Sequence, residues 1–441
     1  MDTTEKKELT TRFWRFLWSS ILIALSGCLG NVVGGIIVGN LVSSDGVSAI
    51  NLTRPVIQFL FTISMLISSG GGMLLGFSLG QKNHDRVRRI FKQVTLGCVM
   101  IGLLFMCIGL FAPEQATRLL CHNDALLPLT TQYMRVVLIG APAYLLFWHL
   151  SMMVNTDGSP RLVSLAVIVD NVVNLVLNYV FIKYFGWGIA GSSTATVMGH
   201  LVGIALMLRH FGYADCHLSL KGAYGASEWR NVISQGAPLA VASICLTLLL
   251  YSANTIIGQT AGRVGLFVFA VCMNLLQIYN LFLAGTCRTL QTLGAVQVGE
   301  KNEEGFRLVL TKAFWFITIS MAVTCVYVWV APQSIAELFG ANEPEQISQC
   351  NHALRIFALS FIPFCYIYTV MIVYKIFAQH RMALFISVAL SLTVIPVLWI
   401  VSRYWPNAMW YSYLIAYIIE MIAIVVLHKA MKIKFELNNP Q

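Results

Sequence analysis

Asp170, Asn174 and Asn178 fall every four residues within one apolar run, 162–183. On a helix that spacing stacks them as a single polar stripe. A carboxylate followed by two amides can take a proton or a small cation, with the amide oxygens as neutral ligands. A charge at mid-bilayer costs about 2.5–3.5 kcal/mol on insertion scales, so a carboxylate kept there is usually functional. The competing reading places Asp170 near the end of the run, hydrated or paired with Arg161. Glu420, in the run 408–428, is a second cation-coupling candidate, or one partner of a helix-packing pair. His149 and His200 are protonation switches or plain hydrogen-bonded histidines. Arg288 faces a cavity and attracts an anion, or snorkels to the nearest interface. Gln58, Asn274, Gln277, Tyr279 and Asn280 line a cavity, or act as interhelical glue worth about 0.6 kcal/mol each.

No set among these has the spacing of a catalytic centre. The chain shows no C-x-x-C, H-E-x-x-H, P-loop or nucleophile elbow. No metal site, catalytic residue or cofactor is expected, and pumping would have to draw on a gradient rather than on hydrolysis by this chain. The eleven cysteines sit mostly singly as small apolar fillers. Cys121 and Cys350 fall on the same expected side and could pair, although nothing requires it.

The elements that must hold these residues are membrane helices. Hydrophobic residues make up 57% of the chain and charged ones 11%, too apolar for a soluble globule. Twelve runs of spanning length fall near 14–42, 51–80, 90–112, 130–154, 162–183, 187–208, 229–259, 264–298, 308–330, 350–376, 381–402 and 408–428. The first is too long for a signal-peptide core and is kept as a span. Twenty-one of the 29 Lys and Arg lie in the amino end, the even-to-odd loops and the carboxyl end. That asymmetry places both termini in the cytoplasm. It explains the net charge of +10 as a topology signal, not a nucleic-acid footprint. Trp14, Trp18, Trp187, Trp329, Trp405 and Trp410 fall near span ends and read as interfacial anchors.

The chain is also written twice. At an offset of 219, Gly80-Gln81-Lys82-Asn83 meets Gly299-Glu300-Lys301-Asn302, Gln58 meets Gln277, and Ala112-Pro113 meets Ala331-Pro332. Six spans per half is even, so the halves enter from the same side as parallel repeats. The expected division is an amino-terminal lobe at 1–212, a cytoplasmic linker at 213–228 and a carboxy-terminal lobe at 229–441. Pro142 and Pro363, at nearly corresponding places, suggest paired bends: hinges or static kinks.

The join between spans 5 and 6 reads Gly186-Trp187-Gly188-Ile189-Ala190-Gly191-Ser192-Ser193-Thr194-Ala195-Thr196. It resembles the G-x-G-[VI]-x-G-[AS]-[AG]-x-A-T segment of the multidrug and toxic compound extrusion (MATE) family. Asp157-Gly158-Ser159-Pro160-Arg161 resembles that family's loop after span 4 in looser form, and the Gly80 and Gly299 motifs resemble its ends of spans 2 and 8. With the span count and duplication, the resemblance covers nearly all of 10–430.

The resemblance implies an all-α polytopic protein of the cytoplasmic (inner) membrane: twelve transmembrane helices in two parallel-repeat six-helix lobes arranged in a V. It implies a secondary antiporter, not an enzyme, that exports amphipathic, often cationic small molecules for H+ or Na+ by alternating access, with the lipid bilayer as its surroundings. A monomer is expected, as no oligomer signal is legible. Many bacterial members carry Asp where this chain has Gly34, and N-x-x-x-D where it has Asn174 to Asn178. Both carboxylates of the first lobe are therefore replaced. Asp170 is expected to take over cation coupling, with Asn174, Asn178 and Thr196 as neutral ligands; Thr196 matches the family position that closes this cavity. The alternative is a lipid-linked oligosaccharide or anionic-substrate flippase of the same superfamily, for which Arg288 is the basic candidate.

Overall fold

The computed structural model describes residues 3–220, 228–377 and 379–430. All regular structure among them is helical. In chain order the helices are α1 (Thr3–Leu41), α2 (Ser44–Gly80), α3 (His84–Phe111), α4 (Pro113–Arg118), α5 (Leu127–Ile139), α6 (Ala141–Thr156), α7 (Pro160–Lys183) and α8 (Gly188–Met207). There follow α9 (Trp229–Gly299), α10 (Glu303–Val330), α11 (Pro332–Leu338), α12 (Pro344–Ile376), α13 (His380–Leu392), α14 (Val394–Tyr404) and α15 (Ser412–Ala430).

Nine helical runs among the described residues are long and apolar enough to cross a bilayer, and the pair α5–α6, bent by 51°, makes a tenth. One of the nine, Ser243–Val298, joins the expected span 264–298 to the later part of 229–259. Its backbone leaves helical geometry at Gly262 (φ 59, ψ −148), which lies 219 residues after Ser43, the N-cap of α2. With α1, the layout is the twelve-helix one.

The duplicated motifs build the same turn twice. Lys82 and Lys301 both have φ 55, and their amides bond Leu79 O and Val298 O at 2.9 and 3.1 Å. Asn83 and Asn302 then cap the next helix, accepting from Arg86 N at 3.1 Å and Gly305 N at 2.9 Å. Each cap satisfies an amide that a helix start leaves unpaired. Ala112 and Ala331 repeat the pattern at the far end, at φ/ψ −139/42 and −130/52, with Pro at the first helical position beyond. Pro142 begins α6, at the 51° bend. Pro363 lies inside the continuous α12.

By contact the chain forms two compact units, 33–258 and 1–32 with 259–441. The expected lobes, 1–212 and 229–441, follow chain order instead, and residues 221–227 of the expected linker lie outside the described residues. The unit 33–258 packs Leu60, Ile67, Phe91, Val94, Phe147, Met153 and Val232 in its core. There α2 and the start of α9 approach backbone to backbone. A Cβ on Gly70 would lie 1.9 Å from Val232 O, and one on Gly236 1.9 Å from Leu66 O. Small residues permit such contact where lipid gives helices no hydrophobic reason to associate. In the unit of 1–32 and 259–441, Gly285 makes the same kind of room for Ile21, and Lys6 pairs with Glu304 at 3.3 Å.

Trp14, Trp18, Trp187, Trp329 and Trp405 are exposed, as anchors should be, but Trp410 is 7% exposed and belongs to the core. Cys121 and Cys350 are both free thiols.

Candidate cation site on α7 and α8

The turn that starts α8 is set by its glycines. Gly186 and Gly188 have φ 67 and 54, a region in which an L side chain is strained. This turn lays α8 along α7; Gly199 lets these two close up, and Gly203 makes room for Phe147 of α6. A Cβ on Gly199 would lie 2.7 Å from Asp170 Oδ1, and one on Gly203 2.5 Å from Phe147 Cε2.

In that seam Asp170 Oδ1 meets His200 Nδ1 at 2.9 Å, and both residues are 7% exposed. Phe147 stacks on the His200 imidazole at 4.7 Å, and Tyr144 meets it edge-on at 4.6 Å. The partner of Asp170 is thus His200; Arg161, the partner expected under the interfacial reading, is exposed. Asp170 lies near the middle of the 24-residue α7. A low-dielectric carboxylate–imidazole pair strengthens its own electrostatics and offers two places for one proton.

The rest of the stripe follows turn by turn. Asn174 Nδ2 donates to Thr196 Oγ1 at 2.8 Å, and Asn178 Nδ2 to Ser192 Oγ at 3.1 Å. Among the described residues the Oδ1 atom of Asn178, 2% exposed, has no hydrogen-bond partner. The two positions where the family resemblance expects carboxylates lie side by side: a Cβ on Gly34 would sit 3.0 Å from Asn178 Nδ2.

The other expected residues disperse. Gln58 donates to Ser243 Oγ at 3.0 Å, tying α2 to the start of α9. Asn274 Nδ2 bonds back to Ala270 O at 2.9 Å in its own helix. Gln277 and Asn280 are half-buried. Tyr279 departs from the expectation of a cavity-lining group. It is 1% exposed, stacked on Phe361 at 5.0 Å, and accepts from Cys365 Sγ at 2.7 Å. Arg288 is exposed. Glu420, in the unit of 1–32 and 259–441, is 2% exposed, and neither carboxylate oxygen has a hydrogen-bond partner among the described residues. His149 is a satisfied core histidine, with Ser68 Oγ at 3.2 Å from Nδ1 and Thr95 Oγ1 at 2.9 Å from Nε2.

Sequence reasoning missed the role of Gly199 in the site, and it did not single out Arg54. The G-x-x-x-G spacing of Gly199 and Gly203 was the available signal for the first. Arg54, directly before Pro55 inside α2, is half-buried within electrostatic reach of the buried Tyr133 hydroxyl.

Comparison with known proteins agrees with this architecture. The family model MatE matches residues 19–180 and again 238–400, two copies that begin 219 residues apart. The multidrug export protein MepA of Staphylococcus saprophyticus is 21% identical over 385 residues, covering 85% of this chain and 84% of that protein. A multidrug resistance MATE family transporter solved in an inward-facing conformation superposes with a TM-score of 0.81 at 16% identity, covering 93% of this chain and 99% of the other. A MOP superfamily transporter from Pyrococcus furiosus, described as having a binding pocket of reversed polarity, gives a TM-score of 0.72 at 15% identity, covering 96% of each chain.

Proposed function

The chain belongs to the MatE family, and on that premise we propose that it exports amphipathic, mainly cationic small molecules in exchange for H+ or Na+. The chain is a multi-pass membrane protein, and the placement of its Lys and Arg supports a cytoplasmic (inner) membrane with both termini inside. The duplicated halves support alternating access, and the multidrug export relatives support a drug-like substrate. The observation that carries the coupling is the Asp170–His200 pair at 2.9 Å, buried in a spanning helix pair. When the site is empty of cation, the Asp170 carboxylate is held by His200. An entering proton neutralises the carboxylate and weakens that bond; an entering Na+ finds the carboxylate with the Asn174 and Thr196 side chains, bonded to each other at 2.8 Å, one turn along the seam. Occupancy by cation and by a positively charged substrate then exclude one another on charge, which is what exchange requires. Glu420 is the second candidate, on α15, and acts in the other unit.

Ethidium flux in proteoliposomes tests this. The expected result is flux that follows an imposed pH gradient or an imposed sodium gradient and is absent with neither. Arg54 and Arg288 favour a second reading, transport of an anionic or lipid-linked substrate. That reading predicts no ethidium flux under any gradient, and loss of anion transport in Arg54→Gln.

A further inference from the structure

At one end of the unit 33–258, three donors of mixed type converge where α6 ends and the joining segment leaves α8, and a fourth, His217, lies against one of them. We propose that Asp157, His210, Cys216 and His217 bind a borderline-soft divalent cation, for which Zn2+ fits best, and that the ion pins the start of the joining segment to the helix ends.

The turn after α6 is what presents Asp157. Gly158 has φ 95, Ser159 N bonds Val154 O at 3.1 Å, and Pro160 starts α7, so the chain turns sharply just after Asp157, the C-cap of α6. Its side chain is fully buried. His210, on the short 3₁₀ turn Leu208–Gly212, is 2% exposed and brings Nε2 to 2.8 Å from Asp157 Oδ2. One ligand atom each from Asp157, His210 and Cys216 lie within 4.8 Å of one another. His217 adds Nδ1 at 3.1 Å from Asp157 Oδ1 and its backbone amide at 3.0 Å from Oδ2. The His217 ring is held by stacking on His84 at 4.7 Å, with the planes 8° apart.

Two imidazoles, a carboxylate and a thiolate form the donor set of a tetrahedral zinc site, with ligand distances of about 2.0–2.3 Å. The thiolate and imidazoles select against Mg2+ and Ca2+, which take oxygen. One carboxylate and one thiolate neutralise a dication, so the occupied site adds no net charge to a buried place. His217, with its side chain 39% exposed, leaves a path for entry, which a real site needs. Motif reading could not see this site, because the donors come from residues 157, 210, 216 and 217 and have no zinc-finger spacing.

The test uses the full chain purified in detergent, stripped with a chelator and titrated with Co2+ and then with Zn2+. The proposal expects one Co2+ per chain with a thiolate-to-cobalt charge-transfer band, displaced by one equivalent of Zn2+. Cys216→Ser should abolish the band, and His217→Ala should weaken affinity at least 10-fold. Cys107→Ser, an exposed cysteine elsewhere, should change neither. Retention of the wild-type thermal midpoint by each stripped variant shows that it is folded. No band in the wild type, or a band that survives Cys216→Ser, overturns the proposal. If Zn2+ affinity is equal in wild type and Cys216→Ser, the cluster is a hydrogen-bonded clasp only.

Discussion

Among single residues, the proposed coupling turns on one carboxylate, Asp170. Asp170→Asn keeps the shape of the side chain and an oxygen for His200 but removes the charge. Gradient-driven flux should fall by at least 100-fold at normal expression, while binding of ethidium, followed by fluorescence polarisation, stays within a few-fold. Gly34→Asp is the complementary change. Its carboxylate would arrive beside Asn178 Nδ2, with that amide giving way by a few tenths of an ångström. Placed in the Asp170→Asn background, it should restore a measurable part of the coupled flux. The stripe itself was legible from the i, i+4, i+8 spacing, and so was the replacement of both expected carboxylates. The His200 partnership was not. Pairing across two helices depends on the Gly199 contact, and a four-residue period reports only on its own helix. The packing of Tyr279 was hidden for the same reason: its partners Phe361 and Cys365 lie on another helix, 82 and 86 residues away.

At the scale of elements, turns and close approaches make the predictions. Lys82 and Lys301 hold left-handed backbone, which costs a side-chain-bearing residue about 1–2 kcal/mol. Replacing either by Gly should therefore stabilise the protein by about 0.5–1 kcal/mol after the entropy of the freer chain is counted. A rise in the thermal midpoint of both variants would show it; a fall in both would mean the Lys side chains stabilise more than the backbone strains. Gly70→Ala goes the other way, because the new methyl meets Val232 carbonyl oxygen, which cannot swing aside. The cost should exceed the usual 1–3 kcal/mol of overpacking and appear as lost expression or a sharply lower midpoint. Where α9 begins, Arg86 Nε and Nη2 donate to the Glu228 carboxylate at 3.1 and 3.2 Å, and Asn231 donates at 3.1 Å. These bonds, Arg86 first, hold the Glu228 carboxyl below its ordinary value of about 4.5. A depressed carboxylate stabilises the fold above that ordinary value and loses its contribution as pH falls through the lower folded one. Glu228→Gln should accordingly cost about 1 kcal/mol at pH 7, and the difference from wild type should close in acid below pH 4.5. A gap that widened in acid would contradict the pairing.

At the scale of the whole molecule, the duplication was the strongest signal in the sequence, and it reappears in the structure as matched atoms: two left-handed lysines, two asparagine caps and two Ala-Pro helix starts. Glycines, prolines and caps are legible at a distance because they answer to local backbone geometry. The grouping of spans by contact was not legible in this way. That α1 contributes its residues up to Val32 to one unit and the rest to the other depends on helix packing, which chain order does not encode. The proposed function of the whole molecule is exchange of a cationic substrate for a cation, coupled at Asp170. It is tested most directly by ethidium flux in proteoliposomes of wild type and Asp170→Asn side by side, under whichever gradient drives the wild type. The expected result is flux that follows the gradient in wild type and is lost in Asp170→Asn. Equal gradient-driven flux in the two proteins would contradict it.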